Sequence, residues 1–115
     1  MANTFKVVTK ANVTSADVIY TVGSSTTTVV LGIMVGNTTT SQVTATLSLG
    51  SDTGNRAGAN DEANQTVELV TNAPIPAGGS LELLAGNKVV METTDTLSLT
   101  ASGSSDIALS IMEIT

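Results

Sequence analysis

Apolar and polar residues alternate along much of this chain, and Gly, Ser, Asn and Asp separate the alternating stretches. In residues 43–49 every second residue is Val, Ala or Leu, and the residues between them are Thr or Ser. Residues 96–101 repeat the pattern, with Leu and Ala opposed to Thr and Ser. Because successive side chains of a strand point to opposite faces, this alternation predicts half-buried β-strands. No stretch carries a helical period, so we predict an all-β protein.

The number and spacing of these stretches predict an antiparallel β-sandwich or jelly roll of about eight strands. The chain has 115 residues, so we expect residues 1–115 to form a single β-sandwich domain. The predicted strands are Thr4–Lys10, Asp17–Val22, Thr26–Val35, Gln42–Leu49, Thr66–Thr71, Gly79–Leu84, Lys88–Glu92, Thr96–Ala101 and Asp106–Ile114.

Two of the predicted strands depart from simple alternation. Apolar residues fill consecutive positions from Val29 to Val35, interrupted only by Gly32, so they must point to both faces of the strand. We therefore expect this strand to be covered on both sides, by another sheet or by another subunit. In the last strand Met112 and Ile114 fall opposite the preceding apolar positions, which predicts either a bulge or contact on both faces.

The composition excludes several classes of function. The sequence has no His and no Cys, so the commonest general base, metal ligand and nucleophile are all missing, and we expect no enzyme. The net charge is −6 and the four cationic residues are dispersed, which argues against a nucleic acid or an acidic membrane surface as partner. The first residues lack the pattern of a secretory signal, so we expect synthesis in a cytoplasm.

One polar stretch, residues 51–64, gathers oxygen ligands of the kind that calcium prefers. The candidate ligands are Asp52, Asp61 and Glu62. Their spacing matches no EF-hand or calcium-binding repeat, and a solvated acidic loop explains the same residues. We therefore predict no cofactor, with calcium at this loop as the alternative.

Four segments of the chain together resemble small virion structural proteins of tailed bacteriophages, particularly those of marine and cyanobacterial hosts. The segments are Met1–Lys6, Val18–Asn37, Asn72–Leu81 and Leu109–Thr115. The resemblance implies an all-β virion subunit without catalytic residues. It further implies a capsid cement or decoration protein, with a homotrimer favoured, that contacts the major capsid protein or another virion protein.

The residues that we expect to form the subunit interface are apolar and lie in the strands near the two chain ends or in the apolar third strand. They are Phe5, Ile33, Met34, Met112 and Ile114. Three alternatives remain open from the sequence. The first is a tail, neck or fibre component, and the second is a carbohydrate-binding or adhesive module with Thr-rich faces. The third is an extracellular filament subunit that donates a terminal strand to its neighbour.

Overall fold

The computed structural model describes residues 2–51, 65–83 and 87–115, and these residues form nine β-strands with no helix among them. Each predicted segment overlaps one strand, and the predicted all-β class is confirmed. None of the described residues belongs to a helix that could span a membrane. The strands are β1 (Asn3–Val13), β2 (Ala16–Thr21), β3 (Thr27–Asn37), β4 (Val43–Ser51), β5 (Gln65–Ile75), β6 (Ser80–Leu83), β7 (Val89–Met91), β8 (Thr96–Ala101) and β9 (Ser105–Ile114).

Two antiparallel sheets stack to form a sandwich. Sheet I has the strand order β1-β9-β3-β6, with β7 also pairing with β3, and sheet II has the order β2-β8-β4-β5. β6 and β7 pair with successive parts of β3, so together they act as one interrupted strand. The pairing is nested, because β1 pairs with β9, β2 with β8, β3 with β6 and β7, and β4 with β5. This nested pairing across two sheets is that of a jelly roll.

The core between the sheets is built from aliphatic side chains. Leu47 and Leu99 line it from sheet II, and Leu109 and Ile111 line it from sheet I, all with no exposed surface. Each such side chain contributes about 1.5–3 kcal/mol when it is fully buried. The alternation in β4 and β8 therefore predicted the core face of sheet II correctly.

Within the described part of this chain only one face of β3 is covered, so the predicted cover of its second face by another subunit stays a prediction. Its core face is buried, but Met34 on the other face keeps 49% of its surface exposed. The ladder between β3 and β9 skips Leu31, which forms a β-bulge between Val30 and Gly32. Within this chain, the consecutive apolar residues of β3 therefore supply the core and also leave apolar side chains on the outer face of sheet I.

The end of β9 excludes the first of its two predicted alternatives, a bulge, and contact on its outer face stays a prediction. The register of β9 against β1 is unbroken from Ile107 to Ile114, so no bulge resets β9 at its end. Met112 and Ile114 consequently lie on the outer face of sheet I, and Glu113 takes a position on the core face.

A polar cluster ties the two sheets together beside Glu113. The Tyr20 hydroxyl of sheet II donates a hydrogen bond to Glu113 Oε2 at 2.6 Å and shares another with Thr28 Oγ1 at 2.8 Å. Lys6 Nζ lies 2.8 Å from Glu113 Oε1. Hydrogen bonds from Lys6 and then from Tyr20 lower the pKa of Glu113. Burial, and next the hydrogen bond with Glu113, raise the pKa of Tyr20 to about 12.

Candidate functional site

The described residues bring no metal-binding cluster together. Nowhere in ranges 2–51, 65–83 and 87–115 do three Asp or Glu side chains converge closely enough to hold an ion. The candidate calcium ligands Asp52, Asp61 and Glu62 lie outside the described residues. The remaining candidates for a functional site among the described residues are the outer surfaces of the two sheets.

The outer faces of the two sheets differ in chemistry. On sheet II the outward positions of β4 and β8 carry hydroxyl side chains, at Thr44, Thr46, Ser48, Ser98 and Thr100. On sheet I the outward positions include eight apolar side chains, and we call this surface the apolar face. Its apolar members are Phe5, Val7, Val29, Met34, Val90, Ala108, Met112 and Ile114.

One continuous row of apolar side chains crosses the apolar face. The strand registers place Phe5 opposite Met112, Met112 opposite Val29, and Val29 opposite Val90. Phe5 is 71% exposed and Val90 is 58% exposed at the two ends of this row. Directly paired side chains lie about 4.5–5.5 Å apart, so the four side chains form one unbroken ridge across β1, β9, β3 and β7.

A groove of about 360 Å³ lies beside this row, toward the other end of the same strands. Its floor is made by small residues, since a Cβ atom added at Gly36 would meet no other atom within 4 Å. The same is true of Gly32, which lies between the groove and the row. The groove is lined by Thr9, Lys10, Ala11, Met34, Gly36, Asp106, Ile107 and Ala108.

Carboxylates on this side of sheet I lie at the groove end. Glu82 pairs with Met34, and Asp106 pairs with Gly36. Asp106 Oδ1 accepts a hydrogen bond from the backbone N–H of Asn12 at 3.0 Å. The ridge that contains Phe5 and Met112 carries no charged side chain.

The structure brings together most of the residues that the sequence named as interface candidates. Phe5, Met34, Met112 and Ile114 all lie on the apolar face. Ile33 does not, because the bulge at Leu31 turns it inward and only 3% of its surface is exposed. Ile33 is therefore a core residue of its own subunit and is not available for contact with another one.

Among the residues of this face that sequence reasoning missed are Val7, Val29 and Val90. The first carried a usable signal, because Val7 follows Phe5 by two positions and so shares its side of the strand. The other two needed the pairing of β3 with both β9 and β7, which joins segments that are distant in sequence.

Comparison with known proteins gives little further information. No protein-family model matches this chain, and no curated protein matches it. One solved structure, described as "Bacillus endospore appendages form a novel family of disulfide-linked pili", is similar at a TM-score of 0.45 and 14% sequence identity. The match covers 99% of this chain and 87% of that chain. At this level the likeness carries no argument about what this chain does.

Proposed function

We propose that this chain is a structural subunit of a virion, and specifically a cement or decoration protein on the capsid of a tailed bacteriophage. The observation that carries the proposal is the apolar face of sheet I. The resemblance of four sequence segments to phage virion proteins points to the kind of particle. The trimer that this resemblance implies stays a prediction.

The apolar face suits a protein whose work is contact. Large apolar side chains exposed next to one another are unusual on a monomer, and such patches mark surfaces that bind another protein. Phe5 and Val7 are 71% and 67% exposed, so their burial in an assembly removes much apolar surface from water. A shell protein supplies many identical sites, and repeated weak contacts add up across a symmetric particle.

Location on a particle tests this proposal directly. Antibodies raised against the isolated protein are applied to phage particles purified from lysates of the source culture, and gold label is located by electron microscopy. Label distributed over the capsid is the expected result. Label confined to the tail, neck or fibres supports the tail component instead, and particles without label refute a virion role altogether.

A variant of the apolar face makes the test specific to the surface. Met112→Asp places a charge in the middle of the ridge, so it is expected to abolish binding to particles that lack the protein. Val18→Asp is the matched control, because Val18 is 52% exposed on the outer face of sheet II. Equal binding of both variants would show that the apolar face is not the contact surface.

The hydroxyl-rich outer face of sheet II favours one second candidate, the carbohydrate-binding or adhesive module. Thr is also a strong strand former on solvated faces, which explains the same side chains without a ligand. A glycan array distinguishes the two explanations. Specific binding that Thr46→Val and Ser98→Ala abolish would support the adhesive module, and silence on the array would leave the virion subunit.

A further inference from the structure

We propose that the apolar face of sheet I is self-complementary and that its occupant is the same face of a second copy of this chain, related by a two-fold axis. This inference rests on the proposed function and deepens it: the apolar face joins two copies into the unit that binds the particle, so Met112→Asp lowers particle binding by separating that unit. The ridge and the groove carry the argument, because each copy has one of each on the same face.

The ridge and the groove lie at opposite ends of the face. On β9 the ridge is marked by Met112 and the groove by Ala108, four residues apart. At about 3.4 Å per residue of antiparallel strand, their centres are separated by roughly 14 Å. Ser110 lies midway between them and pairs with Val7 on one side and with Gly32 on the other.

A two-fold axis through this middle row makes the two faces match. The axis lies between the two sheets, perpendicular to the strands, and passes over Ser110. It exchanges the two ends of the face, so the ridge of each copy lies over the groove of the other. Met112 of each copy then lies over Ala108 of the other, and Phe5 lies over Thr9 at the side of the groove, once in each direction. This is an isologous interface, in which the same patch serves both subunits.

The charges of the face are compatible with this arrangement. Glu82 and Asp106 lie at the groove end. Because the axis exchanges the ends, the carboxylates of one copy lie at the opposite end of the interface from those of the other. Like charges therefore do not meet across the ridge and groove contacts, where burial makes repulsion most costly.

The size of the face also fits a pair of copies. Four strands spaced about 4.8 Å apart and followed over about eight residues give a flat area of roughly 500 Å². Two such faces together give a flat area of about 1,000 Å², which reaches the lower bound expected for a specific interface with good complementarity. Face-to-face packing of two such sheets at about 10 Å would give a four-layered pair of subunits.

Sedimentation measurements on the isolated protein test the proposal first. The expected mass is twice the subunit mass of 11.6 kDa. Gly36→Val fills the groove, and the added side chain has open space in the single subunit, so we expect the fold to persist and the dimer dissociation constant to rise at least 100-fold. Val18→Asp on sheet II is the control and leaves the mass unchanged. A monomer, or the trimer that the resemblance implies, overturns the two-fold pair.

Cross-linking tests the position of the axis without weakening the interface. The sequence has no Cys, so a single introduced thiol reacts alone. Ser110→Cys lies next to the proposed axis and therefore faces its own copy, and a short bis-maleimide is expected to convert most of the protein to a covalent dimer. Ser98→Cys on the outer face of sheet II is the matched control. Equal yields of covalent dimer from the two variants overturn the two-fold pair. The location of the protein on particles, which tests the proposed function, does not depend on this result.

Discussion

The polar cluster at Tyr20 makes one sharp prediction about stability. Tyr20→Phe removes the hydroxyl that donates to Glu113 Oε2 at 2.6 Å and keeps the ring. A hydrogen bond to a charged group contributes about 1.5–3 kcal/mol. Glu113 retains Lys6 at 2.8 Å, so the carboxylate is not left unpaired and the lower part of that range applies. We expect a loss of about 2 kcal/mol, or roughly 8 °C in Tm for a domain of this size.

Urea unfolding of a double-mutant cycle measures the interaction itself. The cycle combines Tyr20→Phe with Glu113→Gln, and the expected coupling energy at pH 7 is about 1–2 kcal/mol. Glu82→Gln is the matched control, because Glu82 is exposed on β6. Paired with Tyr20→Phe, the control is expected to give a coupling within about 0.3 kcal/mol of zero.

The pH dependence of the same cycle follows from the two pKa shifts. The pKa of Glu113 is lowered in the folded protein, so its contribution to stability is present above the unfolded pKa and is lost as the pH falls through the folded pKa. The pKa of Tyr20 is raised to about 12, so its contribution is present below pH 10 and is lost between pH 10 and 12.

A coupling energy at pH 2 about half of that at pH 7 is therefore expected, because a neutral carboxyl accepts a weaker hydrogen bond than a carboxylate. The reasoning is refuted by a coupling below about 0.3 kcal/mol at pH 7, or by equal couplings at the two pH values.

Further substitutions test the packing and the hydrogen bonding of the sandwich by chemical denaturation. Leu99→Ala empties a fully buried site and is expected to cost about 2–5 kcal/mol, whereas Val67→Ala at a 53% exposed position should change stability by about 0.5 kcal/mol or less. Gly50→Ala places a Cβ atom 2.6 Å from Thr96 Oγ1, so it should destabilise the protein, and adding Thr96→Ala should restore most of the loss. The side-chain amide of Asn37 donates to three backbone carbonyls at 2.7–3.1 Å. Asn37→Asp replaces this donor by a carboxylate, so the free energy of unfolding should fall by about 3 kcal/mol or more.

The sequence predicted strands well because alternation and turn residues are local signals. It placed the end of β5 too early, at Thr71, whereas the strand continues to Ile75 through Asn72 and Pro74. Among the described strands, β5 pairs with β4 alone, so it is an edge strand in which a proline is tolerated. Two register shifts in this ladder let the strand continue past positions that interrupt the alternation.

The candidate site was harder to predict, and Ile33 shows the physical reason. Strict alternation from Val30 would point Met34 inward and Ile33 outward. The bulge at Leu31 adds one residue and reverses that assignment, so Ile33 enters the core and Met34 faces outward. A one-residue bulge leaves no clear mark in a run that is apolar at nearly every position, and it exchanges the two faces completely.

The strands that carry the ridge also carry the polar cluster, and this couples the two features. Phe5 and Lys6 are neighbours on β1, and Met112 and Glu113 are neighbours on β9. Side chains alternate, so Phe5 and Met112 point outward to the ridge, whereas Lys6 and Glu113 point to the other face of sheet I. There Glu113 contacts both Lys6 and, from sheet II, Tyr20. The cluster thus holds the ends of β1 and β9 against the other sheet, directly behind the ridge. Protonation of Glu113 should loosen this backing, so any assembly through the apolar face should weaken in acid before the core of the sandwich unfolds.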